Sequence, residues 1–431
     1  MPAAPKRKTV AKPKAQAKSK DATPRGPLDI LIAGAGYVGL ATAAAIAHAA
    51  PHLSIRVVDP APEGVWKKDG RASAIAAAAS RMLEELGCWD TILPDAEPIR
   101  EMVVTDSRTG DPVRPVFLTF DGEVASGEPF AHMVPNVTMN GALRAKCEAA
   151  GVTISQGVGV TSFTEESPGA PLSVTLSNGE DLKTRLLVAA DGAKSALRAL
   201  AGIKTVHWDY GQMGIVATIA HERPHEGRAE EHFLPAGPFA ILPLKGNRSS
   251  IVWSETTANA ERLLKSDEFT FDFELEKRFG LKLGEIRVEG QKRAYPLGLT
   301  LARDFVKPRF ALIGDAAHGI HPIAGQGLNL GFKDAAALAE TIVEADRLGL
   351  DFGQLDVLQR YERWRRFDTW QMGVTTDVLN RLFSNDFTPL RALRDIGLGI
   401  VDRMPGMKNF FIGQAAGLSG PAPRLLRGEP I

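Results

Sequence analysis

The sequence predicts an α/β protein, because at three separate places a short apolar strand runs directly into a glycine-bearing turn and then into a helix. These units begin near residues 28, 186 and 310. The stretches 102–133 and 211–289 alternate apolar and polar residues between turn signals, a pattern typical of strands. We therefore expect a domain of strands and helices and a second, β-rich domain inserted into it.

The first unit joins the strand 28–33 to a loop containing Gly34, Gly36 and Gly39 and then to an alanine-rich helix. Glycines in such a loop allow a tight turn, close approach of the backbone to a pyrophosphate, and close packing of helix on strand. The next strand ends at Asp59, roughly 20–25 residues further on, where a carboxylate is expected to hold a ribose diol. Together these features predict a dinucleotide site rather than a chance glycine turn.

The second unit is a DGxxSxxR motif that follows the strand 186–189. We expect Asp191 to cap the helix, while Ser195 and Arg198, three residues apart, face the pyrophosphate from one side of it. The alternative is a capped helix with a surface arginine.

The third unit reads LIGDAAHGIHPIAGQGLNLGF and covers 312–332. The turn at Gly314 places Asp315 at the end of the strand, where its carboxylate is offered to a ligand hydroxyl. Pro322 stiffens the loop, and Gly325 and Gly327 open a helix whose first N–H groups can approach a ligand and favour negative charge. A polyol chain and a reduced flavin ring fit this pair of features.

Composition limits the functional classes. The 431 residues, 44% hydrophobic and 24% charged, are ordinary for a soluble chain of about two to three domains. Cys88 and Cys147 are too few for a disulfide framework or a cysteine metal site, so we expect no metal and a cytoplasmic location.

Formal net charge is zero, but 1–27 holds eight Lys and Arg against one acid, and we expect this basic tail to be disordered. It has no interleaved aromatic residues, so nucleic acid is not an expected partner.

The three motifs, in this order, resemble those of the aromatic-ring flavoprotein monooxygenases. The string GDAAHGIHPIAGQGLNLGFKDAAAL and the segment GLGIVDRMPGMKNFFIGQAAGLSG are most similar to the ubiquinone-biosynthesis hydroxylases within that family. The resemblance implies a Rossmann-like FAD-binding domain with an inserted β-sheet substrate domain and a helical C-terminus. The expected parts are a tail at 1–27, an FAD-binding domain from 28–101, 135–200 and 295–345, a substrate-domain sheet from 102–134 and 201–294, and a helical region at 346–431.

The resemblance also implies the site. Arg71, before an alanine-rich segment predicted as a helix ending at Gly87, would reach the FAD diphosphate or ring, although a surface role is equally open. The expected cofactor-binding residues are Gly34, Gly36, Gly39, Asp59, Arg71, Asp191, Gly314, Asp315, Pro322, Gly325, Gly327 and Asn329.

On the substrate side, the residues expected over the substrate are Leu242, Pro243 and Trp253, with a plain core strand as the alternative. No catalytic residue is assigned, although His318 and His321 are candidates. Pro135-Asn136 and Met139-Asn140 depart from the family pattern and leave the contacts at that corner open.

The implied reaction is hydroxylation of a polyprenylated phenol or quinol by dioxygen, through a flavin C(4a)-hydroperoxide on FAD. NAD(P)H or another electron donor would reduce the flavin, although no second glycine fingerprint is present for it. Alternatives are a hydroxylase or epoxidase of a soluble aromatic or isoprenoid compound, and a non-catalytic flavin-binding subunit of a quinone-biosynthesis complex. The basic tail, together with an apolar cluster near Arg403 and Lys408, indicates peripheral contact with the inner face of a membrane. That cluster is Met404, Met407, Phe410, Phe411 and Ile412.

Overall fold

The computed structural model describes residues 26–107, 109, 114, 116–121, 123–321, 326–383, 416–418 and 422–431. The basic tail up to residue 25, Pro322, Gly325, residues 384–415 and 419–421 of the expected helical region, and the apolar cluster at 404–412 therefore lie outside the described residues. No helix among the described residues is long and apolar enough to cross a membrane.

The described strands are numbered in chain order. They are β1 (Leu28–Ala33), β2 (Ile55–Asp59), β3 (Ala72–Ala76), β4 (Glu97–Pro98), β5 (Glu101–Asp106), β6 (Val116–Asp121), β7 (Glu123–Ala125), β8 (Glu128–Pro129), β9 (Ala131–Pro135), β10 (Thr153–Gln156), β11 (Val160–Glu165), β12 (Leu172–Leu176), β13 (Asp181–Ala189), β14 (Thr205–His221), β15 (Arg228–Leu234), β16 (Gly237–Leu244), β17 (Arg248–Thr256), β18 (Ile286–Ala302), β19 (Val306–Lys307), β20 (Phe310–Leu312) and β21 (His318–Gly319).

The described helices are numbered in the same way. They are α1 (Tyr37–Ala49), α2 (Ala77–Glu85), α3 (Trp89–Ile92), α4 (Asn136–Ala149), α5 (Ala196–Leu200), α6 (Thr257–Lys265), α7 (Glu268–Phe279), α8 (Gln326–Arg347) and α9 (Leu355–Phe383).

The first sheet contains the strands that precede the three motifs. Its order is β10-β2-β1-β13-β12-β11, with β20 pairing to β13 and β19 to β20. The pairs of β1 with β2 and β13, and of β13 with β20, are parallel, so their carboxyl ends meet at one edge. Ile30, Leu31 and Ile32 are fully buried, as expected for a parallel strand covered on both faces. Helix α1 packs against α4 and α8 over this sheet.

The second sheet contains the inserted β-rich segments, in the order β21-β18-β14-β17-β16-β15-β5-β6. One face of this sheet packs against α6 and α7 around Trp253, Phe239 and Phe271. Strand β18 continues to Ala302, so residues 295–302, expected in the FAD-binding domain, pair within this second sheet. The opposite face of the sheet is turned towards the first domain.

Two local expectations are corrected. The segment after Arg71 forms strand β3 before helix α2 begins, because 72–76 pair with β9 in a small third sheet, and tertiary pairing overrides the helix preference of alanine. Helix α6 was not expected. It follows β17 without a break and buries Ala260 and Leu263 against the second sheet.

Candidate active site

A cavity of about 950 Å³ lies where the first domain faces the second sheet. One side, which we name the motif wall, comprises 36–39, 71–74, 192–194, 313–315 and 326–329. The opposite side, which we name the sheet wall, comprises Met102, Ala229, Glu231, Ala240, Leu242 and Val252. The cavity therefore joins all three sequence motifs to one face of the inserted sheet.

The three glycines of the first motif have different roles. Gly34 has φ of +119°, and a Cβ there would lie 2.2 Å from the Ala190 carbonyl oxygen. A Cβ on Gly39 would lie 2.1 Å from the Gly34 oxygen, so this glycine lets α1 pack onto the loop. A Cβ on Gly36 would meet no atom within 4 Å, and Gly36 lines the cavity. Only Gly36 therefore leaves open space for a ligand.

Asp59 ties the glycine loop to the end of β2. Its Oδ2 accepts a hydrogen bond from the Ala35 N–H at 2.7 Å, and its Oδ1 accepts one from the Ala61 N–H at 2.8 Å. Each carboxylate oxygen can accept a further hydrogen bond. Asp59 does not belong to the cavity lining, so its predicted contact with a ribose remains a prediction.

The second motif is organised by internal hydrogen bonds. Asp191 accepts from the Ser195 hydroxyl at 2.5 Å and from the Leu197 N–H at 3.1 Å, which fixes the start of α5. Arg198 donates to the Ala316 carbonyl at 2.7 Å and so connects this motif to the third. Gly192 lines the cavity, whereas Asp191 does not. Contact between Asp191 and a cofactor thus remains a prediction. The expected cap is corrected: the N-cap of α5 is Ser195, whose hydroxyl accepts from the Arg198 N–H at 3.0 Å, and Asp191 holds Ser195 in place.

Asp315 lies in the motif wall and forms no hydrogen bond with the described residues. The preceding Gly314 has φ of +58°, and its N–H donates to Asp334 at 2.9 Å, so the turn is held from beneath. Surrounding protein raises the pKa of Asp315 above its ordinary value by desolvation, which His318 partly opposes. A carboxylate that is open to the cavity and lacks a protein partner is suited to bind ligand hydroxyls.

Asn329 connects the start of α8 to β3. Its Oδ1 accepts from the Ala76 N–H at 2.9 Å, and its Nδ2 donates to the Ala74 carbonyl at 3.0 Å. This pair of bonds fixes the strand that borders the cavity, and Gly327, two residues before Asn329, also lines the cavity.

Arg71 belongs to a polar network that the sequence did not reveal. Its guanidinium donates to both carboxylate oxygens of Asp69, at 2.8 and 2.7 Å, and lies over the Tyr295 ring. Tyr37 and Asn136 also donate to Asp69, at 2.9 and 3.2 Å. Burial alone would raise the pKa of Asp69, but Arg71 and the other donors hold it well below its ordinary value. Arg71 is thus held in place at the rim of the cavity.

The two candidate histidines lie behind the motif wall and do not line the cavity. His318 Nε2 is 2.5 Å from Asp334 Oδ2, and Asp334 Oδ1 accepts from Arg365 of α9 at 2.9 Å. His321 is fully buried, and desolvation lowers its pKa to about 4. The His318 network therefore supports the Gly314 turn, and neither histidine reaches the cavity.

The prediction for the substrate side requires correction at two residues. Leu242 lines the cavity, as do Ala240 and Val252, its neighbours on the same face of the sheet. Trp253 and Pro243 do not, because successive residues of a strand point to opposite faces. The Trp253 ring packs against Phe239 and Phe271, and the Arg278 guanidinium lies over it.

Glu231 lines the cavity but is not among the residues predicted from the sequence. It is 5% exposed, lies in the otherwise apolar sheet wall, and desolvation raises its pKa to about 7. Glu231 belongs to no sequence motif, and it is one of several charged residues in the strand 228–234, so the sequence does not single it out. Only the strand register shows that it faces the cavity.

The comparisons with known proteins agree with this geometry. A family model described as an FAD binding domain matches residues 27–373. The ubiquinone hydroxylase UbiL of Rhodospirillum rubrum is 43% identical over 94% of this chain and 93% of its own length. The 3-demethoxyubiquinol 3-hydroxylase of Escherichia coli is 33% identical, covering 91% of this chain and 99% of its own length.

Among solved structures, the p-nitrophenol 4-monooxygenase PnpA from Pseudomonas putida superposes with a TM-score of 0.75 at 19% identity, covering 91% of this chain and 98% of that one. The predicted fold class is thereby confirmed. Because the family model spans most of the chain and full-length relatives exceed 30% identity, the chain belongs to the family of FAD-dependent monooxygenases.

Proposed function

We propose that this monooxygenase hydroxylates the aromatic ring of a polyprenylated ubiquinone precursor, a phenol or quinol, with FAD and dioxygen. The observation that carries the proposal is the single cavity shared by the motif wall and the sheet wall. Full-length similarity to UbiL and to the 3-demethoxyubiquinol 3-hydroxylase supports a substrate of this class.

The residues of the motif wall fit FAD. Helix α1 begins at Tyr37, directly after the open glycine Gly36, no side chain caps it, and its first turn contains no acidic residue. Its free N–H groups would hold the diphosphate. Asp59 would accept hydrogen bonds from the ribose, and Asp315 from the ribityl hydroxyls. Helix α8 begins at Gln326, where the positive end of the helix dipole favours the negative charge of a reduced flavin.

Bound FAD, once reduced by NAD(P)H or another electron donor, supplies the oxygen chemistry. The protein supplies position and exclusion of water. Phe130 and Ile99 border the cavity beside the sheet wall, where Met102, Leu242 and Val252 give an apolar surface. This surface would bind an aromatic ring and the first part of a prenyl chain by removing both from water.

Product analysis tests the proposal. The FAD-loaded enzyme, a reductant and a prenylated phenol or demethoxyquinol precursor are incubated with and without dioxygen. We expect an oxygen-dependent product heavier by one oxygen atom. Equal turnover of a short, soluble phenol would favour a soluble aromatic substrate. FAD binding without any hydroxylated product would favour a non-catalytic subunit.

We also propose that the protein contacts a membrane surface, because a polyprenylated substrate resides in the bilayer. On α9, Phe367, Val374 and Val378 are 72%, 51% and 53% exposed. Their spacing of seven and four residues places them on one side of the helix. The basic tail would add attraction to anionic lipid.

Liposome flotation tests this contact. Full-length protein should float with anionic vesicles, a variant lacking residues 1–27 should float less, and the double variant Phe367→Ser, Val374→Ser should lose apolar binding. If none floats but the protein copurifies with other quinone-biosynthesis enzymes, contact within a protein complex replaces the membrane proposal.

A further inference from the structure

Glu231 occupies an unusual position for a carboxyl group. Strand register places it between Ala240 of β16 and Val104 of β5, so both flanking side chains are apolar. On the same face, Ala229, Leu242 and Val252 surround it in the sheet wall. Burial of an ionisable group in such surroundings is unfavourable unless a partner is supplied.

No partner for Glu231 is found within the described part of the chain. It forms no hydrogen bond or ion pair there, whereas its neighbour Glu230, on the opposite face, lies 3.0 Å from Lys282 and 3.2 Å from His232. Buried polar groups without partners are rare and often mark functional positions. Since Glu231 lines the cavity, its missing partner would come from a bound molecule.

We infer that Glu231 binds the ring hydroxyl of the substrate and takes up its proton as the ring is hydroxylated. This inference rests on the proposed function and names a catalytic residue for it. It also narrows the substrate to a ring with a free hydroxyl near the reacting carbon. An aromatic carboxylate would be disfavoured, because its charge would face the Glu231 carboxylate in an apolar wall.

The proton transfer is balanced without any further reagent. The hydroxyl O–H bond of the substrate breaks, and a carboxyl O–H bond forms on Glu231. The electron pair left on the substrate oxygen raises the electron density of the ring, so the ring attacks the oxygen atom supplied by the cofactor more readily. When the ring carbon loses its hydrogen and aromaticity returns, the substrate oxygen is protonated again. The Glu231 carboxyl then releases its proton to solvent as product leaves, so Glu231 ends unchanged. The ring loses two electrons as it gains the hydroxyl. Dioxygen is the oxidant, reduced by these two electrons and by two from the electron donor, and its second oxygen leaves as water, which takes up the released proton.

The Glu231 carboxyl is suited to act as a proton acceptor near neutral pH. Desolvation raises its pKa to about 7, and no neighbouring charge contributes to this shift. The titratable residues on the elements around it are Glu101 and Asp106 of β5, Arg228, Glu230 and His232 of β15, Glu97 of β4, His132 of β9, and Tyr37, Arg71, Lys194 and Asp315 of the motif wall. Burial lowers the pKa of His132 to about 4, and Glu101 lies 3.6 Å from Arg228, so neither opposes ionisation of Glu231.

The test compares Glu231→Gln with Glu231→Asp and with the control Glu230→Gln from the other face of the same strand. Each FAD-loaded protein receives a reductant, dioxygen and a prenylated phenol. We expect Glu231→Gln to keep FAD but to form product roughly 10²- to 10⁴-fold more slowly, with reductant consumed to give hydrogen peroxide. The wild-type rate should rise with pH through about 7. This rise should persist in Glu231→Asp and in Glu230→Gln and be absent in Glu231→Gln.

Binding gives an independent readout. Titration of the flavin absorbance should show that the wild type binds the phenol about 10-fold or more tightly than its methyl ether, and that Glu231→Gln narrows this preference. A wild-type rate and pH profile in Glu231→Gln, or equal binding of phenol and ether by the wild type, would overturn the inference. If the wild type binds the phenol preferentially but never hydroxylates it, the proposed function fails while the hydroxyl contact stands.

Discussion

The shape of the motif wall depends on local turns, whereas that of the sheet wall depends on pairing between distant strands. In the motif wall, Gly36 offers open space and Gly314 adopts a left-handed turn, so the shape follows from local glycine chemistry. In the sheet wall, Ala240, Leu242 and Glu231 come together only because β15, β16 and β17 pair in one register. The cofactor side is thus encoded in short segments, and the substrate side in long-range pairing. This difference lets one scaffold keep a cofactor while its substrate changes.

The largest effect is expected within the glycine loop, where two substitutions separate folding from binding. In Gly39→Val the new side chain would overlap the Gly34 oxygen, so we expect little soluble, folded protein. In Gly36→Val nothing in the protein obstructs the side chain, so the fold should form while FAD affinity falls at least about 100-fold, since the diphosphate is excluded. Circular dichroism and FAD titration measure the two effects. Normal FAD binding by folded Gly36→Val would contradict the assignment of the motif wall.

The two faces of the second sheet give the next effect. Trp253→Ala removes a fully buried ring and should lower the free energy of unfolding by about 3–5 kcal/mol. Leu242→Ala, on the cavity face, should change stability much less and should instead raise the KM for a prenylated phenol. Denaturant unfolding and steady-state kinetics distinguish them. If Trp253→Ala raised the KM for the phenol and left stability unchanged, the substrate would bind on the Trp253 face of the sheet, which would contradict our assignment.

A smaller effect is expected at Asp315, in the motif wall. Asp315→Ala should weaken FAD binding by about 1.5–3 kcal/mol, because hydrogen bonds from the ribityl hydroxyls to a carboxylate are lost. Asp304→Ala is the matched control, since Asp304 is a surface residue 3.5 Å from Lys307 and away from the cavity lining. Equal FAD affinity in both variants, measured by titration of apo-protein, would remove Asp315 from the site.

The smallest effect concerns stability and pH. The folded-state pKa of Glu231 is raised to about 7, so the folded protein favours the neutral carboxyl, and this contribution to stability is lost as pH rises through 7. Without substrate, the free energy of unfolding of Glu231→Gln, measured relative to wild type, should therefore be larger at about pH 8 than at about pH 5 by roughly 1–3 kcal/mol. Urea unfolding at both pH values measures the gain. A difference independent of pH would show that Glu231 does not titrate in this range.

The sequence predicts the motif wall better than the sheet wall for a physical reason. Gly34, Gly36, Gly39 and the turn before Asp315 lie in contiguous segments whose turn chemistry is local. For β16 and β17, alternation shows which residues share a face, but the face that meets the cavity depends on where α6 and α7 pack, and α6 was not predicted. Trp253, predicted over the substrate, therefore lies on the face opposite to the cavity. Glu231 could not be distinguished from Glu230 without the strand register.

The most direct test of the two-wall account is a crystal structure of the FAD-loaded protein with a prenylated phenol bound. We expect the diphosphate of FAD to lie at Gly36, the ribityl chain to contact Asp315, and the phenol ring to rest on Leu242 and Val252 with its hydroxyl within hydrogen-bond distance of Glu231. A ring bound away from this face, or FAD bound outside the motif wall, would contradict this expectation.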